Sequence, residues 1–263
     1  MTPYTAVVSS RFRMLPQYRA AALAGIGTQL FFGVVRTMIF DAFYRSSNLP
    51  QPIARDDVVT YIWLGQAFLV LTMLDADKDV ADMIRSGNVA YELVKPVDLY
   101  WLWFSRAIAG RAAPLMLRAI PILVLAGLWH GLRGPASGVA AALFAAAILG
   151  SLLLAASIVA AMTISMVWTI SGEGISRLMA PLVFFFSGIV VPLPLFPDWM
   201  QPALATLPFR GLIDTPFRIY IGQLHDASAV SALANQAVWI VALVAVGRIM
   251  LARSLRRLVV QGG

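Results

Sequence analysis

Residues 189–222 read IVVPLPLFPDWMQPALATLPFRGLIDTPFRIYIG. Six prolines, Pro192, Pro194, Pro197, Pro202, Pro208 and Pro216, punctuate a stretch too apolar for an ordinary solvated loop. Proline removes a backbone donor and breaks helices, so this spacing predicts short helical fragments and turns. Broken backbone at membrane depth is tolerated only where protein or a water-filled cavity covers it. Residues 192–222 are therefore expected to form a re-entrant or interface-lying element, of the kind that shapes a transport path.

The rest of the chain supplies the membrane setting. It is 60% hydrophobic and 13% charged, against roughly 25% charged residues in soluble domains, and its mean hydropathy is +0.79. The net charge of +7 does not suit nucleic acid: the basic residues are almost all arginines, scattered with no Lys/Arg-rich run. The absence of cysteine removes a disulfide framework, a thiolate metal site and a cysteine nucleophile. No small-residue cleavage site follows the first apolar run, so a cleaved signal peptide is not expected.

Six apolar segments approach the length of a membrane span: Ala20–Phe40, Val58–Leu74, Tyr100–Leu128, Ala136–Ile170, Ile175–Val191 and Leu233–Leu251. The second and fifth are short, and the fourth is too long for one straight span. With both ends of the chain on the cytoplasmic side, twelve basic residues lie inside and five outside, which satisfies the positive-inside rule. The expected fold is all-α and polytopic, with six transmembrane helices and a re-entrant helical region before the last. No part of the chain is hydrophilic enough for a soluble domain.

Two further elements stand out. Before the first span, Tyr4, Val7, Val8, Phe12 and Leu15 recur at three- and four-residue spacing, predicting an interfacial amphipathic helix within residues 1–19. Between the second and third spans, residues 75–98 read DADKDVADMIRSGNVAYELVKPVD. Val80, Met83 and Ile84 make an apolar edge on an acidic helix that Ser86-Gly87-Asn88 should close, because glycine accepts the left-handed conformation. A second short helix, Val89–Val94, should stop before Pro96. Two short helices around a glycine suit docking into a groove of another protein, although such a loop can also fold back on its own bundle.

Gly87-Asn-Val-Ala-Tyr-Glu-Leu-Val-Lys-Pro96 resembles the loop after the second span of ABC-2 type transporter permeases. Ser187-Gly-Ile-Val-Val-Pro-Leu193, Leu207-Pro-Phe209 and Ile219-Tyr-Ile-Gly222 resemble that family's re-entrant region. The resemblance covers nearly the whole chain, 1–263, as a single ABC-2 type transmembrane domain. It departs from many members in having Ala90-Tyr91 before Glu92, where they carry a glutamate just after the loop's Thr-Leu. It implies a permease of an ATP-binding-cassette exporter in a bacterial inner membrane, paired with a second copy or a sister permease, and fits multidrug efflux or lipid export. It also implies that 75–98 is a coupling loop seated on a separate ATPase. Asp82, Arg85, Gly87, Tyr91, Glu92, Lys95 and Pro96 would then carry coupling. Pro192, Pro194, Pro197, Trp199, Leu207, Pro208 and Phe209 would form the outer gate. This chain would bind no cofactor, with ATP and magnesium on the partner.

Independent readings agree with an external energy source. The chain has no Gly-x-x-x-x-Gly-Lys-Ser/Thr phosphate loop, and no acidic residue at the middle of any span, where ion-driven transporters usually carry one. Arg106, Arg111 and Arg118 fall roughly on one side of the third span. They form either a polar stripe toward a partner, lipid or anionic substrate, or two arginines snorkelling to the inner surface with Arg118 hydrogen-bonded inside the bundle. Ala147, Ser151 and Ala155, like Ala142, Ala146 and Gly150, recur every four residues and predict close helix packing. The alternative functions are a non-transporting membrane scaffold or an intramembrane enzyme. For the latter, His130 and His225 are the only histidines, and neither lies in a recognisable catalytic or metal motif.

Overall fold

The computed structural model describes residues 3–14, 19–47, 49–130, 132–169 and 173–255, and the regular elements among them are all helical. Leu15 of the expected interfacial helix, with Arg256 and Arg257 of the basic inner set, lies outside the described residues. The order is α1 (Pro3–Met14), α2 (Arg19–Ser46), α3 (Arg55–Ala67), α4 (Lys78–Arg85), α5 (Ala90–Leu93), α6 (Leu99–His130), α7 (Gly138–Thr169), α8 (Glu173–Phe186), α9 (Gln201–Thr206), α10 (Asp214–Tyr220) and α11 (Asp226–Leu255). Short 3-10 turns follow α3 and punctuate the stretch between α8 and α10.

Four helices are long and apolar enough to cross a membrane, over Leu23–Ser46, Leu99–Trp129, Gly138–Val167 and Asp226–Leu255. The second and fifth expected spans are carried by shorter pieces. At 14 residues, with Pro181 inside it, α8 measures roughly 21 Å at 1.5 Å per residue, short of the ~30 Å of a hydrocarbon core. The 13-residue α3 is different in kind, because Tyr61 to Ala67 are all buried and it packs on α2, α6 and α10. It is a short helix enclosed by protein, apart from the four long apolar ones.

The centre of the bundle is α7, an uninterrupted run of 32 residues without proline. It packs along α11 and also meets α6 and α10. Of the two small-residue stripes, Ala147, Ser151 and Ala155 are fully buried, while Ala142 and Ala146 are exposed. The buried stripe admits a polar side chain. The Gln236 amide of α11 lies over Gly150 and reaches Ala147 O at 3.0 Å, Gly211 O at 2.8 Å and Ser151 Oγ at 3.3 Å. In an apolar surround this satisfaction matters, since an unpaired buried amide costs about 1–3 kcal/mol.

The two ends of the bundle differ. At one end, α4 and α5 form a cap between the root of α3 and the start of α6. At the other, α10 and the 3-10 turn at 208–212 fill the space between α3, α7 and α11. Along α7, Thr163 marks the first end through a bond from Asp77 N, and Ser151 approaches the second through Gly211 O at 2.8 Å.

Candidate functional site

The loop end is built by local capping and then pinned by long-range bonds. The Asp77 carboxylate accepts from the N–H groups of Asp79 at 3.0 Å and Val80 at 3.2 Å, starting α4. Gly87, at φ +77, closes it in the left-handed conformation expected from the sequence. The amphipathic face turns inward: Val80 is buried, and Met83 and Ile84 pack on the core. Asp82 and Arg85 face outward and pair with each other at 3.5 Å.

Of the sequence candidates in the following turn, Glu92 behaves unlike its neighbours. It is 2% exposed and accepts from Trp103 Nε1 at 2.7 Å and Arg106 Nη2 at 2.6 Å, with Lys95 Nζ at 3.6 Å. It therefore fastens α5 to α6 rather than projecting from the surface. Tyr91 and Val94 are 72% and 80% exposed, with Leu93, Lys95 and Pro96 also outward. Tyr91, Leu93 and Val94 form the exposed apolar edge of the loop. The loop's root is held as firmly. Arg111, buried on α6, donates to Met73 O at 3.2 Å, Asp75 O at 3.5 Å and Ala107 O at 3.1 Å, satisfying carbonyls where the chain leaves its helical turn. α1 adds a strap: Arg11 pairs with Asp79 at 3.0 Å, and Asp98 N donates to the Tyr4 hydroxyl at 3.1 Å.

At the proline-rich end, Pro192, Pro197 and Pro208 each precede or open a 3-10 turn, with Pro194 inside the first. Gln201 Nε2 ties the first of these turns together through Leu193 O at 2.8 Å and Phe196 O at 2.9 Å. Arg36 of α2 donates to the carbonyls of Ile189 and Val190, backbone acceptors left beyond the end of α8. Beneath them lies a fully buried carboxylate, Asp214. Arg210 Nε and Arg218 Nη1 stand 3.4 and 3.5 Å from its Oδ2, and the Tyr61 hydroxyl donates to its Oδ1 at 3.3 Å. Gly188, at φ +86, sits where any Cβ would run into that hydroxyl. Of the gate candidates, Pro192 is buried, Leu207, Pro208 and Phe209 are half-buried, and Trp199 is 79% exposed. Phe209 stacks on Phe186 with centroids 6.4 Å apart.

The three arginines of the third span, a single stripe by periodicity, separate into three roles. Arg106 is an ion-pair partner of Glu92, and Arg111 is a buried cap for backbone carbonyls. Neither snorkels to a surface. Arg118 is half-buried against Gly25 of α2, and the hydrogen bond expected for it inside the bundle is not formed among the described residues. Sequence reasoning passed over Asp214, although an acid with arginines at i−4 and i+4 in an apolar stretch is a readable signal. It also passed over Trp103 as a donor and over Gln236, for which no local pattern exists.

Residues 31–262 match the family model described as ABC-2 family transporter protein. No curated protein matches the chain.

Proposed function

Because the chain belongs to the ABC-2 family of transporter proteins, whose members are membrane components of ABC transporters and not themselves catalytic, we propose that it is the permease of an ATP-driven exporter in a bacterial inner membrane. Membership implies in general a partner of the ATP-binding-cassette kind. That partner holds ATP and magnesium, and this chain binds neither. A second copy or a sister permease encloses the path with it. The chain crosses the membrane six times, with α3 and its 3-10 turn as the second crossing and α8 as the fifth. The loop end faces the cytoplasm, and residues 192–222 dip into the membrane from outside as the gate.

One observation carries the reading: an exposed apolar edge, Tyr91, Leu93 and Val94, on a loop fastened to α6 at both its root and its far end. Such an edge suits a groove on another protein. Closure of the ATPase dimer pushes this edge. The push passes through Glu92 to Trp103 and Arg106, and through the Met73 and Asp75 carbonyls to Arg111, so α6 moves with the loop. The tilt opens an outward route for an apolar or amphiphilic substrate, drug-like or lipid-like. The test is gentle purification of the tagged chain from its native membrane, with every co-purifying polypeptide identified. A phosphate-loop ATPase at equal stoichiometry is expected, and a chain that stays alone under conditions preserving other complexes would refute the reading.

A further inference from the structure

Charged groups inside a membrane span are expensive, and almost always pair with one another, with backbone carbonyls or with a ligand. Six arginines fall within the bounds of its expected spans, at positions 36, 106, 111, 118, 177 and 248, and Arg106 and Arg248 pair with Glu92 and Asp98. Arg36 holds the Ile189 and Val190 carbonyls, and Arg111 holds those of Met73, Asp75 and Ala107. Arg118 differs. It sits seven residues beyond Arg111 on α6, roughly 10 Å deeper along the helix, and has no hydrogen bond or ion pair among the described residues.

Its surroundings are shaped around it. The guanidinium lies on the backbone of α2 at Gly25, where an added Cβ would stand 2.9 Å from Arg118 Cζ. A side chain at this position would displace the flexible end of Arg118. Pro114 and Pro121 flank it within α6. Each proline leaves the carbonyl four residues earlier in α6 without its helical donor. The two helices that carry the contact also expose apolar side chains, Leu23 of α2 at 68% and Ile120 of α6 at 65%, each two residues from the contact and so on another face of its helix. Among the described residues no carboxylate of this chain pairs with it. All thirteen acidic residues fall in connections or near helix ends, at positions 41, 56, 57, 75, 77, 79, 82, 92, 98, 173, 198, 214 and 226.

We propose that the Arg118 guanidinium, resting on α2 at Gly25, binds the anionic group of an amphiphile, a phosphate or carboxylate whose chain lies along the exposed apolar surface of α2 and α6. A single guanidinium makes two parallel charge-assisted bonds to such a group. The same chemistry comes from two sources, a lipid of the adjoining leaflet or the transported molecule itself. The site stands on the geometry alone, and only the second source rests on the permease reading.

The experiment uses the whole chain in nanodiscs of phosphatidylcholine, with melting followed as dodecyl phosphate or uncharged dodecyl maltoside is added. The native chain should show a saturable rise in melting temperature with dodecyl phosphate only. Arg118→Gln should weaken the half-saturating concentration at least about tenfold, as expected on losing a charge-assisted pair, and Arg118→Lys should keep part of the response. Gly25→Val keeps the charge but displaces the guanidinium, and should also weaken binding, which covers the case of an Arg118→Gln chain that does not fold. Equal responses from the native chain and both Arg118→Gln and Gly25→Val, or no saturable response from the native chain, would overturn the site. Competition by phosphatidylglycerol added to the disc identifies the occupant as a leaflet lipid. Binding without that competition identifies a transported amphiphile, which the ATPase-bound complex should then move with ATP. Intact binding without ATP-driven movement in that complex would sink the exporter reading and leave the anion site standing.

Discussion

Arg111 shows what a single side chain does for this fold. It is 7% exposed and reaches carbonyls that lie 38 and 36 residues earlier in the chain. Those carbonyls belong to the point where α3 and its 3-10 turn give way to the loop, so helical bonding cannot satisfy them. Removing the guanidinium leaves them facing an apolar bundle. Arg111→Leu is expected to destabilise by about 1–3 kcal/mol, the usual cost of leaving a buried acceptor unsatisfied. Arg111→Lys should recover only part of this, because an ammonium lacks the planar fork. Thermal unfolding of the purified variants in one detergent measures both; a native melting temperature for Arg111→Leu would remove Arg111 from the loop's anchorage.

At the level of elements, the loop 75–98 separates side chains that hold it from side chains it offers. Glu92 lies in the first group and Tyr91 and Val94 in the second, although all three are adjacent on one short turn. The two groups should respond differently to substitution. Tyr91→Asp with Val94→Asp changes exposed positions, so melting should stay within about 0.5 kcal/mol of native. ATPase association, read by pull-down, should fall at least about tenfold. Glu92→Gln should do the reverse, lowering stability through loss of the Arg106 ion pair while leaving the exposed edge in place. If the double aspartate variant bound the ATPase normally, the docking edge would lie elsewhere. The loop's helices and its glycine stop were legible in the sequence because capping and left-handed glycine are local rules. The inward turn of Glu92 was not, since its partners Trp103 and Arg106 stand on another helix.

For the molecule as a whole, the arrangement along α7 sets the loop and the proline-rich stretch at opposite ends of one bundle. A membrane placed across the four long helices then separates Tyr91 from Trp199, both widely exposed. The chain contains no cysteine, so single substitutions Tyr91→Cys and Trp199→Cys report topology without further engineering. In intact cells, a membrane-impermeant maleimide should label Trp199→Cys and leave Tyr91→Cys unlabelled until the membrane is opened. Labelling of both positions from outside would overturn the proposed orientation. The polar clusters near the proline-rich end explain how irregular backbone is tolerated there. Arg36, Tyr61, Gln201 and Gln236 each reach backbone carbonyls or the buried carboxylate of Asp214, doing the work that water does for a surface loop.

The sequence by itself determined the membrane class, the helical secondary structure, the closing of α4 at Gly87 and the broken stretch at 192–222. Each follows from composition or from rules acting over a few residues. Tertiary structure alone decided that protein encloses α3, and which small-residue stripe of α7 faces the core. It also sorted the three arginines of α6 into an ion-pair partner, a carbonyl cap and an unpartnered cation. Periodicity gives the side of a helix on which a charge stands, but its satisfaction depends on groups brought to it from distant parts of the chain. That is why Arg106, Arg111 and Arg118 look alike in the sequence and differ in the fold.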